Sequence, residues 1–149
     1  MTIRVTKQFN FEASHALTDY DGLCSNIHGH SYKLFVSIKG SPSEDKQSPK
    51  YGMVVDFSCL KTIVENEILK DFDHALILRN DSLYASKLHN SGTKLLIVNY
   101  QPTCENMLQD FVSRLANKLP PETTLTQIKL CETATSYAQW LAEDNALTI

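Results

Sequence analysis

Residues 24–40 read CSNIHGHSYKLFVSIKG, a cysteine and two histidines set directly ahead of an alternating apolar run. From His30 the even positions are His30, Tyr32, Leu34, Val36 and Ile38, while the odd ones are mostly polar. Period two is the signature of a strand with one buried face. Upstream, the odd positions Ile3, Val5, Phe9, Phe11, Ala13 and His15 show the same pattern, which predicts a strand from Ile3 to His15. Residues two apart on a strand share a face, so His28 and His30 project together. His15 ends its own strand on the apolar parity.

If these two strands pair antiparallel across the loop 16–27, the three imidazoles converge at one rim of a sheet. Three neutral histidines suit Zn²⁺ and leave the fourth tetrahedral position open, as catalytic sites do. The competing reading is a chance H-x-H on a solvated strand end. A third histidine delivered by an independent strand weighs against chance. Cys24, four residues before His28, has three readings at this level. It is a small buried hydrophobe, a fourth ligand closing a structural site, or a thiolate beside the metal that moves protons.

Outward from this centre the chain alternates between element types. SPSEDKQSPKYG at 41–52 is a loop by composition. Leu60, Ile63, Val64, Ile68 and Phe72 share one helical face after the short apolar run MVVDF. Residues 79–92 read as irregular loop and 94–100 as a short strand. Thr103 is a candidate N-cap for a helix carrying Met107, Leu108, Phe111, Val112 and Leu115, stopped by Pro120-Pro121. Two further strands follow, with a turn near residues 133–135. The order strands, helix, helix, strands predicts an α+β fold, an antiparallel sheet with helices on one face.

The 149 residues suit a single domain, 1–149, with no repeat or linker. A net charge of -3 gives no electrostatic reason to expect nucleic acid or an anionic membrane. No run is long enough to span a bilayer, and the alternating N-terminus lacks the apolar core of a signal peptide. Four widely spaced cysteines without a CxxC pair suggest reduced thiols in the cytoplasm.

The fragments FEASHAL, CSNIHGHSYKL, GMVVDF, FDHALIL, PTCENM and CETATSY, in this order, resemble the 6-pyruvoyl-tetrahydropterin synthase / 6-carboxytetrahydropterin synthase family over nearly the whole chain. The resemblance implies the tunnelling fold (T-fold), an antiparallel four-stranded sheet with two helices on one face, oligomerising into a barrel as a homohexamer of two trimers. It implies zinc on His15, His28 and His30. It implies a catalytic group of Cys24 with Asp73 and His74, the last two from a neighbouring subunit. Glu132 would anchor the pterin of a pterin triphosphate substrate, with Thr103 and Glu105 in the segment lining the pocket.

Each implied role has a structural alternative. Glu132 shares parity with Ile128 and Leu130, a costly direction for a bare carboxylate, yet it also reads as an exposed strand-end acid. Apart from the resemblance, Asp73-His74 reads as a helix C-terminus whose histidine complements the dipole, and Glu105 as a first-turn acid. Only three residues, SNI, separate Cys24 from HGH. This is similar to the bacterial 6-carboxy branch of queuosine (7-deazaguanine) biosynthesis, whereas the animal pyruvoyl branch has a longer spacer. The implied reaction converts 7,8-dihydroneopterin triphosphate to 6-carboxy-5,6,7,8-tetrahydropterin, acetaldehyde and triphosphate. The alternatives are a 6-pyruvoyl product and a zinc-stabilised pterin or purine-binding module without turnover. Three features depart from the family pattern: a long segment at 79–99, the polar tail after Trp140, and the want of a basic cluster for the triphosphate.

Overall fold

The computed structural model describes residues 1–145. The domain expected over 1–149 and the polar tail end in residues 146–149, which lie outside the described residues. In chain order the strands are β1 (Ile3–His15), β2 (His28–Gly40), β3 (Ala75–Arg79), β4 (Leu95–Val98), β5 (Thr124–Cys131) and β6 (Tyr137–Leu141). They form one sheet in the order β4-β3-β1-β2-β5-β6.

β1 and β2 pair antiparallel from Ile3 opposite Gly40 to His15 opposite His28. β5 continues the antiparallel pairing on β2, with a register shift between Ser37 and Ile38, and β6 pairs on β5. These four strands are the expected antiparallel sheet. The sheet has six strands, however, because β3 joins β1 in parallel and β4 joins β3 in parallel. Ala75, Leu76, Ile77 and Leu78 are all buried. A strand covered on both faces shows no alternation, so period-two reasoning passes over it.

Among the described residues three helices cover the sheet. α1 begins as Phe57–Val64, widens into a π-helical stretch at Glu65–Leu69 and ends with Lys70–Phe72. Asp56 caps its start by accepting the Ser58 N–H. Its core residues Leu60, Val64, Ile68 and Phe72 are spaced by four and all fully buried. At 3.6 residues per turn each such step drifts by about 40°. The wider π turn takes up part of that drift and keeps Phe72 on the sheet. α2 (Leu83–Leu88) lies within 79–92, where irregular loop was expected. Ser82 caps it by accepting the Tyr84 N–H, but six residues are too few to show periodicity. α3 (Cys104–Leu115) starts at the expected cap, Thr103, which accepts the Asn106 N–H.

α1 and α3 pack on the face carrying Phe9, Phe11, Tyr32, Leu34, Ile77, Ile128 and Leu130. The alternate residues of β3, Leu76 and Leu78, face the other way and pack with Ala16, Tyr84, Ala85 and Leu88. The third helix therefore sits opposite the expected two. No helix among the described residues is long and apolar enough to cross a membrane.

Candidate metal and active site

The strand register brings the three histidines together. His15 lies opposite His28, and Ala13 opposite His30, so the three rings share the helix-covered face at the sheet's rim. One ligand nitrogen from each lies within 4.8 Å of the others. Gly29 between the two histidines serves this approach, since a Cβ there would stand 3.1 Å from Ser14 Oγ and 3.2 Å from the Ala13 carbonyl.

Hydrogen bonds fix the tautomers. His15 Nδ1–H donates to the Pro102 carbonyl (2.7 Å) and His28 Nδ1–H to the Asn26 carbonyl (2.8 Å). A carbonyl only accepts, so both Nδ1 atoms carry their protons, and in the neutral rings both Nε2 atoms are bare. Those two Nε2 atoms face each other at 3.0 Å. Two lone pairs so close suit a shared metal ion, or a proton carried by one of the rings. His30 Nε2 is buried and without a hydrogen-bond partner. Nitrogens about 2.0–2.1 Å from a tetrahedral zinc stand roughly 3.4 Å apart, between the 3.0 Å contact and the 4.8 Å outer limit of this cluster. The donor set thus fits a metal ion. Burial pushes the His15 pKa below the ordinary histidine value, and burial does the same for His30 against the opposing pull of Glu132. Both are neutral at pH 7, the form a metal needs.

Beside the rim lies a cavity of about 210 Å³ lined by His15, Cys24, Thr103, Glu105 and Glu132. Four of the residues singled out in the sequence therefore meet one histidine of the cluster in a single pocket. Cys24 sits in a short 3₁₀ turn (Leu23–Ser25), and its carbonyl accepts the Leu17 N–H at 2.8 Å. The loop after β1 is also held by Gln101, whose amide bonds the N–H and carbonyl of Thr18 at 3.0 and 2.8 Å. Glu132 follows the last residue of β5 and keeps the inward parity. Its Oε1 is 3.6 Å from both His15 Nε2 and His30 Nε2 and accepts the Tyr32 hydroxyl at 3.3 Å. Burial raises the Tyr32 pKa, so this hydroxyl remains a donor.

Asp73 and His74 are not in this cavity. His74 lines a separate recess with Glu12, Gly29, His30 and Thr93. Its Nδ1 is 2.9 Å from Asp73 Oδ1, and its side chain is 75% exposed. Its φ of 58° is a conformation that non-glycine residues rarely adopt.

Cys104, within the expected Thr103–Glu105 segment, also lines the Cys24 cavity, as do Ser136 and Tyr137, to which the sequence reading gave no role. Cys104 directly follows the Thr103 cap. Ser136 and Tyr137 arrive there through the turn after β5 and close the CETATSY fragment, which by itself assigns them no role. The Cys104 thiol donates to the Leu130 carbonyl at 3.3 Å, and burial pushes its pKa up to about 11.

The profile of the 6-pyruvoyl tetrahydropterin synthase family matches residues 4–143. A protein of Haemophilus influenzae named 6-carboxy-5,6,7,8-tetrahydropterin synthase is 36% identical over 141 residues, covering 92% of this chain and 97% of its own. Among solved structures, an uncharacterised Wolinella succinogenes protein superimposes with a TM-score of 0.78 at 17% identity, covering 95% of this chain and 98% of its own. The 6-pyruvoyl tetrahydropterin synthase of Caenorhabditis elegans does so with a TM-score of 0.67 at 21% identity, covering 95% and 96%. These structural likenesses show a shared fold, the T-fold. With the family profile spanning almost the entire chain, this protein belongs to the 6-pyruvoyl tetrahydropterin synthase family.

Proposed function

We propose that the protein converts 7,8-dihydroneopterin triphosphate into 6-carboxy-5,6,7,8-tetrahydropterin, releasing acetaldehyde and triphosphate, as a cytoplasmic enzyme of 7-deazaguanine (queuosine) synthesis. The observation that carries this reading is the convergence of three histidine nitrogens beside a cavity lined by a thiol and a carboxylate. The name borne by the Haemophilus relative and the three-residue Cys24–His28 spacer favour the carboxy product. Free thiols suit a reducing compartment.

His15, His28 and His30 would hold zinc, the ion that three neutral imidazoles with an open fourth position suit best. When bound, zinc supplies Lewis acidity toward the side-chain hydroxyl oxygens of the substrate. The carbonyls of Pro102 and Asn26 orient two of the ligands through their Nδ1–H groups. Cys24 takes the proton from the adjacent side-chain carbon as general base. The Cys104 thiol, committed to the Leu130 carbonyl and with its pKa pushed up by burial, is the poorer base of the two cysteines lining the cavity. Glu132 accepts the amino and ring N–H groups of the pterin as two parallel donors, with Tyr32 steadying the carboxylate. Thr103 and Glu105 bound the pocket on the α3 side.

His74, oriented by Asp73, relays protons. Because the pair lies outside the Cys24 cavity of its own chain, we assign it to the site of a neighbouring subunit in a homohexamer of two trimers. Two sheet edges, β4 and β6, are available for such assembly. Leu23 and Tyr137, beside the cavity, are 88% and 57% exposed. In the overall reaction a water is consumed. One side-chain carbon becomes the carboxyl group and the other two leave as acetaldehyde.

Mass spectrometry after incubation with 7,8-dihydroneopterin triphosphate tests the reading. The expected products are 6-carboxytetrahydropterin, acetaldehyde and triphosphate. A 6-pyruvoyl product, or substrate recovered unchanged from zinc-loaded protein, would overturn it.

A further inference from the structure

His74 occupies a position where helices ordinarily place glycine. α1 ends at Phe72, Asp73 is its extended C-cap, and His74 follows with φ 58°. At that position glycine adopts a left-handed conformation without strain. Histidine there retains the strain, and strain kept at an exposed, paired imidazole marks a group the fold is built to present.

The turn is pinned from two sides. On one, β1 supplies Glu12, whose carbonyl accepts the His74 N–H at 2.6 Å and whose N–H donates to Asp73 Oδ1 at 3.0 Å. On the other stands Lys94, the residue before β4. Its ammonium donates to the Lys70 carbonyl at 2.9 Å and to the Asp73 carbonyl at 2.7 Å. Its own carbonyl accepts the Leu76 N–H at 2.9 Å. Among the described residues Lys94 forms no ion pair, so its cation is committed to these two carbonyls. The bond to Lys70 satisfies an orphan carbonyl of the helix end. The second bond, to the peptide joining Asp73 and His74, fixes the plane from which the imidazole departs.

We infer that Lys94 is a positioning residue for the Asp73–His74 pair: by clasping both carbonyls it holds the turn in the one orientation that aims the imidazole for proton transfer. This gives the long 79–99 segment a purpose, since β4 carries Lys94 to the turn. The inference rests on the proposed catalytic role of His74.

The experiment compares Lys94→Met, which keeps the stem and removes the donors, with Lys94→Arg and His74→Ala in the zinc-loaded full chain. Lys94→Met should lower kcat by about 10- to 100-fold, the scale of a small misplacement, with KM within about twofold and zinc content unchanged. Lys94→Arg, which can still reach both carbonyls, should recover most of the rate. In substrate-free protein, the His74 ring ¹⁵N shifts should report an Nδ1–H held against Asp73 in the wild type and an averaging imidazole in Lys94→Met. Unchanged ring shifts, or an unchanged kcat where His74→Ala is inert, would overturn the inference. A fully active His74→Ala would remove the pair from the reaction and the inference with it. If the wild type turns nothing over, the proposed function falls, and the ring shifts alone decide whether Lys94 holds the pair.

Discussion

The histidine rim and the Asp73–His74 turn both abut the end of β1, yet they are built by opposite means. The rim is regular backbone. Strand parity and one antiparallel register deliver three imidazoles to one point, and two carbonyls hold the rings. The turn is irregular backbone, strained at His74 and exposed, and held by Glu12 and Lys94 from segments distant in sequence. Groups that must hold one mutual geometry sit on paired strands at the sheet's rim. An exposed, paired imidazole sits instead on a turn that is tied down.

If that contrast is right, its largest consequence lies at the rim. His28 is only half-buried, so His28→Ala should fold normally. Zinc should fall below about 0.1 per chain and turnover to background, because two histidines alone do not complete such a site. Elemental analysis of the purified variant checks this, and stoichiometric zinc would break the three-ligand assignment.

Next come the cores behind the two regions. Phe111 is fully buried, with ring centroids 4.8 Å from Phe72 and 6.4 Å from Phe11, beneath the rim-bearing face. Phe111→Ala should cost about 3–5 kcal/mol in denaturant unfolding. Glu132→Gln should raise KM for the pterin about tenfold or more, from the loss of charge-assisted bonds worth roughly 1.5–3 kcal/mol, while leaving zinc in place. The smallest effect belongs to the satellite cluster over β3. Leu88 is only partly buried there, and Leu88→Ala should cost about 1 kcal/mol. A Leu88→Ala cost equal to that of Phe111→Ala would deny that the two faces differ.

The same contrast explains what could be read from the sequence. The rim was legible because period two and the end of β1 opposite the start of β2 follow from local pattern alone. The inward turn of Glu132 followed from parity with Ile128 and Leu130, and the α3 start from Thr103. β3 was not legible because burial on both faces erases alternation. α2 was not, because six residues hold too little periodicity and its contacts with Leu76 and Leu78 are tertiary. Nor does any local pattern reveal that Lys94 reaches back to Lys70 and Asp73, or that His74 faces a different recess from Cys24.

The central claim is that the rim is an open metal site, with its fourth position left for substrate and Cys24 acting beside it as base. Zinc content and turnover of Cys24→Ala, measured on the same preparation, test it most directly. The account predicts about one zinc per chain, as in the wild type, with turnover lowered by at least about two orders of magnitude, the usual scale for a missing general base. Zinc lost together with activity would contradict it, making Cys24 a fourth ligand of a closed structural site.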